Sequence, residues 1–161
     1  MEIPAPFGRL TTAMITPFQK DGEVDWSGVE KLSAHLVSKG HDGLVLNGTT
    51  GEAPTTSDEE KDEIIKVVRK TVGSKIKIIA GAGNNETSHS VEQAKRAAKA
   101  GADALLVVTP YYNKPNQEGI YQHFKELNKC NIPLILYNIP GRSVINITDE
   151  TIAKIAKLEN V

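Results

Sequence analysis

Short apolar runs rich in β-branched residues alternate along this chain with longer stretches in which apolar residues recur every three or four positions. The short runs predict strands over residues 10–16, 43–47, 76–80, 104–109 and 134–138. The longer stretches predict helices over 26–39, 57–72, 87–100, 117–129 and 148–158. Val29, Leu32, Leu36 and Val37 share one helical face, as do Ile64, Val68 and Val72, and Ile120, Phe124 and Leu127. End signals agree with these limits. Ser57 and Glu60 form a capping box, Thr87 and Thr148 read as N-caps, and Gly40 and Gly101 sit just past helix ends.

One strand, one polar loop and one helix together take about 30 residues, the size of a βα unit. Regular alternation calls for a parallel sheet covered by helices, hence an α/β fold. An open doubly wound sheet and a (β/α)8 TIM barrel both fit that pattern. Thr16-Pro17-Phe18 follows the first predicted strand where a dinucleotide fingerprint would need glycines. Polar residues are also spread over several strand ends, as in a barrel. A barrel takes eight units and typically ~250 residues, whereas 161 residues hold about five. The expectation is therefore an N-terminal part of a single TIM-barrel domain over residues 1–161, ending before the sixth strand.

Composition narrows the function classes. The chain is 39% hydrophobic and 24% charged with a formal net charge of −1, ordinary globular material without a footprint for nucleic acid or a membrane surface. No apolar run approaches the length of a membrane span, and the N-terminus lacks a signal-peptide pattern. The lone Cys130 excludes an intrachain disulfide, suits a reducing cytoplasm, and reads as a bystander thiol.

Candidate chemistry collects at the predicted C-terminal ends of the strands. The richest stretch is Asn47-Gly48-Thr49-Thr50-Gly51-Glu52, in a strand-to-helix loop. Gly48 and Gly51 let backbone approach a small ligand, and Thr49 and Thr50 offer hydroxyls and N–H groups for a carboxylate or a proton. A plain Gly-rich turn with self-bonded threonines fits the same residues. Later strand ends add Gly81-Ala82-Gly83-Asn84-Asn85, Thr109-Pro110-Tyr111-Tyr112-Asn113 and Tyr137-Asn138-Ile139-Pro140-Gly141-Arg142. Two tyrosines and a threonine make a possible hydroxyl relay, although a tyrosine pair alone more often reflects aromatic packing. Arg142 carries a planar fork suited to a carboxylate. His35, His41, His89 and His123 have no paired spacing and read as surface histidines, so neither metal nor organic cofactor is expected.

Gly-Thr-Thr-Gly-Glu, Thr-Pro-Tyr-Tyr-Asn and Tyr-Asn-Ile-Pro-Gly-Arg, in this order and spacing, resemble the pyruvate-dependent class I aldolase/lyase family. The resemblance runs from the first strand to the last residue. It implies a lysine Schiff base with pyruvate and condensation with L-aspartate 4-semialdehyde in lysine and diaminopimelate biosynthesis. Thr49, Tyr137 and Tyr112 match the family's proton-relay triad, with Tyr112 reaching the neighbouring subunit's site across a tight dimer, itself one half of a dimer of dimers. Thr50 matches the residue holding the pyruvate carboxylate, and Arg142 the one binding the semialdehyde carboxylate. The family's nucleophilic lysine stands at the end of the sixth strand, just beyond Val161.

No lysine within the chain reads as a substitute. Lys77 begins the third strand, at the wrong end, and Lys114 reads as exposed, without the desolvation that lowers an amine's pKa. The rest read as solvated surface, so the chain alone is expected to be inactive. Alternatives are a sister N-acetylneuraminate lyase or 2-keto-3-deoxy-sugar-acid aldolase, or a non-catalytic half-barrel. The resemblance also implies an effector site at the dimer interface, near the loop after Glu52, the Asn84-Asn85-Glu86 stretch and Tyr111. Asp58 and Lys61 stand there in place of the histidines of lysine-sensitive members, and weak or absent lysine inhibition is expected.

Overall fold

The computed structural model describes residues 5–161. Five strands, β1 (Thr11–Ala13), β2 (Gly43–Leu46), β3 (Lys77–Gly81), β4 (Ala104–Val108) and β5 (Leu134–Tyr137), form one parallel sheet in the order β1-β2-β3-β4-β5. Helices α1 (Trp26–Ser38), α2 (Asp58–Val72), α3 (Thr87–Ala100) and α4 (Gln117–Leu127) join successive strands, and α5 (Pro140–Ser143) and α6 (Asp149–Ile155) follow β5. Sheet order identical to chain order decides between the two architectures left open by the pattern. A doubly wound sheet reverses direction at a switch point, whereas a barrel adds each strand beside the last.

Alternation along the strands sorts their side chains. Leu44, Leu46, Ile78, Ala80, Leu105, Val107 and Leu134 are buried against Val29, Ile64, Val68, Ala94, Ala97, Ile120, Phe124 and Leu127 of the helices. Successive strand residues face opposite ways, so Val45, Ile79, Leu106, Val108, Ile135 and Tyr137 form the other, barrel-interior face. One face is thus sealed by helices and the other holds the site.

The ends of the strands away from the site are tied by Arg69 of α2. Its Nε and Nη2 donate to Gly101 O at 3.1 and 2.9 Å, and Nη1 donates to Gly73 O and Ile76 O at 2.7 and 2.9 Å. Nη2 also pairs with the Asp103 carboxylate, which accepts from Ile78 N at 2.8 Å. All five guanidinium hydrogens therefore find acceptors. At the β5 edge, Leu134 N donates to Asn160 O at 2.7 Å, and Asn160 N donates to Asn128 Oδ1 at 2.9 Å. The last residues thus run alongside the start of β5.

Several local expectations need correction. The first strand covers three residues rather than seven. Thr87 is not an N-cap but the first residue of α3; its hydroxyl bonds His123 Nδ1 at 2.9 Å instead. Residues 128–130 form a 3-10 turn after α4. The capping box at Ser57 and the Thr148 cap are present as expected.

Candidate active site

A cavity of about 610 Å³ opens on the barrel-interior side at the C-terminal ends of the strands. Its wall includes Gly48, Thr49, Tyr111, Tyr137 and Arg142, which come from the ends of β2, β4 and β5. Three sequence motifs far apart along the chain therefore share one space.

The turn bearing Thr49 is shaped by its neighbours. Asn47 leaves β2 in the left-handed region, φ 54°, which a short amide side chain tolerates. Gly48 O accepts from Gly51 N at 3.1 Å and Ala53 N at 3.3 Å, closing the loop on itself. Gly51 is buried beneath it, where a Cβ would lie 3.1 Å from Met14 O. Gly81 on β3 is required more strictly, because a Cβ there would fall 2.1 Å from Asn47 O. Gly48 differs. A Cβ on it would meet only Val45, at an ordinary 3.6 Å, so the described residues do not demand glycine at the cavity wall. Thr50 is exposed on the same turn, and neither it nor Gly51 lines the cavity.

Tyr137 ends β5 and points into the interior beside Val108, its register partner. The next residues turn into α5, whose Arg142 N and Ser143 N donate to Ile139 O at 2.9 and 3.0 Å. Asn138 braces this turn by accepting from Ile147 N at 3.3 Å and donating to Asn146 Oδ1 at 2.8 Å. Arg142 is exposed at the rim and makes no salt bridge among the described residues.

Tyr112 is not brought to Thr49 and Tyr137. It has φ 73°, is 88% exposed, and lies outside the cavity lining. The relay read from the motifs is therefore not assembled within this chain. Asn113 fixes the local turn by donating from Nδ2 to Asn85 O at 2.9 Å.

One wall was foreseen only in part, Asp58 and Lys61 having been read as effector-site positions. Asp58 and Lys61 of α2 and His89 and Gln93 of α3 also line the cavity. Burial pushes the Asp58 carboxyl up, but Gln93 at 3.0 Å and His89 at 2.8 Å, with Lys61, outweigh it and bring its pKa to about 2. Lys61 is not the solvated lysine expected: its side chain is 14% exposed and its ammonium donates to Thr56 O at 2.6 Å. The i, i+4 spacing of His89 and Gln93 was the available signal.

His123 corrects the surface reading of the histidines. It is 2% exposed, edge-on to Phe124, and burial alone lowers its pKa to about 4. Lys77 sits at the start of β3 near Asp103, and Lys114 is exposed. No group of three or more His, Cys, Asp or Glu able to hold a metal ion occurs among the described residues. Among those residues no helix is long and apolar enough to cross a membrane.

A parallel sheet in chain order, helices on one face and polar residues gathered at the strand C-termini on the other define part of a (β/α)8 barrel, with the site where such barrels bind small molecules. Residues 6–161 match the model of the dihydrodipicolinate synthetase family, and the chain belongs to that family. It is 52% identical over 153 residues to 4-hydroxy-tetrahydrodipicolinate synthase 2 of Streptomyces coelicolor, covering 94% of this chain and 51% of that protein. It superposes on dihydrodipicolinate synthase of Bacillus anthracis with a TM-score of 0.93 and 42% identity, covering 96% of this chain and 53% of that one. The chloride-inhibited dihydrodipicolinate synthase of Acinetobacter baumannii, solved in complex with pyruvate, gives a TM-score of 0.92 and 45% identity over 94% of this chain and 53% of that one. The chain spans about half the length of the relatives it matches.

Proposed function

We propose that these residues are the N-terminal part of a single barrel domain whose full-length protein condenses pyruvate with L-aspartate 4-semialdehyde to 4-hydroxy-tetrahydrodipicolinate. The carrying observation is that Thr49, Tyr137 and Arg142 converge on one cavity in a chain of this family. The position of Asn160 beside β5 supports a sixth strand on that edge.

In this reading a lysine amine from beyond Val161 attacks the pyruvate ketone, and loss of water gives an imine. Tyr137 and Thr49 move the protons, and Thr50, on the same turn as Thr49, holds the pyruvate carboxylate. Loss of a methyl proton gives the enamine, whose carbon adds to the aldehyde. The semialdehyde's amine then attacks the imine carbon, closing the ring and releasing the lysine. Arg142, whose guanidinium makes no salt bridge among the described residues, takes the semialdehyde carboxylate; a polyol acceptor would give that fork no counter-charge.

Tyr112, projecting from the chain, completes the relay in a neighbouring subunit, so the working form of the full-length protein is a tight dimer, itself one half of a dimer of dimers. The protein acts in the cytoplasm. Borohydride trapping with labelled pyruvate on the full-length protein tests the mechanism. Label on a lysine beyond Val161 is expected; label on Lys114 or Lys61, or dependence on added zinc, overturns it.

A further inference from the structure

Behind the turn that carries Thr49, α2 and α3 enclose a second cavity with room for about one water molecule. Asn47 and Arg96 are both in its wall. Each carries a buried polar atom without a hydrogen-bond partner among the described residues, Asn47 Oδ1 and Arg96 Nε. Asn47 is only 4% exposed.

The chemistry of the two atoms limits what can satisfy both. Asn47 Nδ2 donates to Lys61 O at 3.1 Å, so turning the amide over would set oxygen against oxygen. Oδ1 therefore needs a donor. Arg96 Nε carries a hydrogen and needs an acceptor, while Nη2 is already shared by Glu59 and Asp62 at 2.9 Å each. An anion offers no hydrogen to Asn47, and a cation would face the Arg96 guanidinium. Water both donates and accepts.

We propose that one buried water occupies this cavity, donates to Asn47 Oδ1 and accepts from Arg96 Nε. Asp58 and Asp62, which also line the cavity, supply acceptors for its second hydrogen. The water makes Arg96 a positioning residue for the 48–51 turn. Asn47, the left-handed first residue of that turn, is then held by the close approach of β3 at Gly81, by α2 through Lys61 O, and by α3 through the water.

The inference does not depend on the reaction assigned to the larger cavity, and its test needs no substrate. A high-resolution crystal structure of the full-length protein is expected to show one ordered solvent peak within hydrogen-bond distance of both atoms. A direct Asn47–Arg96 bond, an ion at the peak, or a dry cavity overturns the proposal. Arg96→Lys keeps the charge beside Glu59 and Asp62 but lacks Nε, and Asn47→Gly keeps the left-handed backbone without the amide. In each variant that folds, the peak is expected to vanish and hydrogen exchange of the Gly48 and Gly51 amides to quicken at least severalfold. Unchanged exchange in a folded variant that has lost the peak overturns the positioning role.

Discussion

Thr16, just beyond β1, donates its hydroxyl to the carbonyl of Gly51 at 2.6 Å, joining the first strand end to the turn after the second. Thr16 is buried, and so is Gly51. Thr16→Val keeps the shape and leaves that carbonyl unpaired. It is expected to destabilise the full-length protein by about 1–3 kcal/mol in denaturant titration and to slow imine formation with pyruvate. Thr16→Ser, which restores the donor, is expected to recover most of the rate. Equal rates in the valine variant and the parent would show that the bond does not position the turn.

Arg142→Ala is expected to lower kcat/KM for the semialdehyde by about tens- to hundred-fold while leaving the rate of pyruvate imine formation nearly unchanged. The two rates are measured on the same preparation. Equal losses in both would place Arg142 in the relay or in the fold.

His123 is buried as a neutral ring, with its pKa lowered from 6.5 to about 4. Between these values the unfolded chain binds the proton and the folded chain does not, so stability falls as pH drops from 6.5 towards 4. The interval corresponds to about 3 kcal/mol at most. His123→Gln is expected to flatten this part of the stability–pH curve. A curve parallel to the parent's would remove His123 from the acid response. The Asp58 carboxylate contributes in a lower window: its stabilisation is present above the ordinary carboxylate pKa and is lost as pH falls towards about 2.

Arg69→Met removes every donor of the clamp at the far ends of the strands. With its side chain 22% exposed, solvent screening reduces the cost of losing the Asp103 pair, and a net loss of about 2–3 kcal/mol is expected. The clamp lies opposite the cavity, so kcat should remain near that of the parent at temperatures where the variant is folded. A fall in kcat without a fall in denaturation midpoint would contradict this placement.

The pattern of apolar positions was enough to place all five strands and the helices between them, because buried strands and one-sided helices leave different periods. It stopped short where a feature spans too few residues or depends on distant ones. Pro140-Gly141-Arg142-Ser143 is a single helical turn, too short for a period to show, and its Pro-Gly reads as a loop. His123 sits between Ile120 and Phe124 on the buried face of α4, so its spacing held a signal that residue type obscured. The contact of Asp58 with His89 joins positions 31 apart, and no local pattern encodes it. Thr49, Tyr137 and Arg142 were legible as a group because each lies at or beyond the C-terminal end of a strand in a parallel sheet. The exposure of Tyr112 has no local pattern behind it and was expected only through the family resemblance.

Strict agreement between sheet order and chain order has a consequence for how the molecule comes into being. Each new strand leaving the ribosome finds its pairing edge already built by the strand before it, and its helix lies against the preceding helix. Synthesis and assembly can therefore advance together from the N-terminus as far as β5, while closure of the barrel still waits for the strand that pairs with β1. The hydrogen bond from Leu134 N to Asn160 O keeps to the same order, laying residues near 160 along the outer edge of β5.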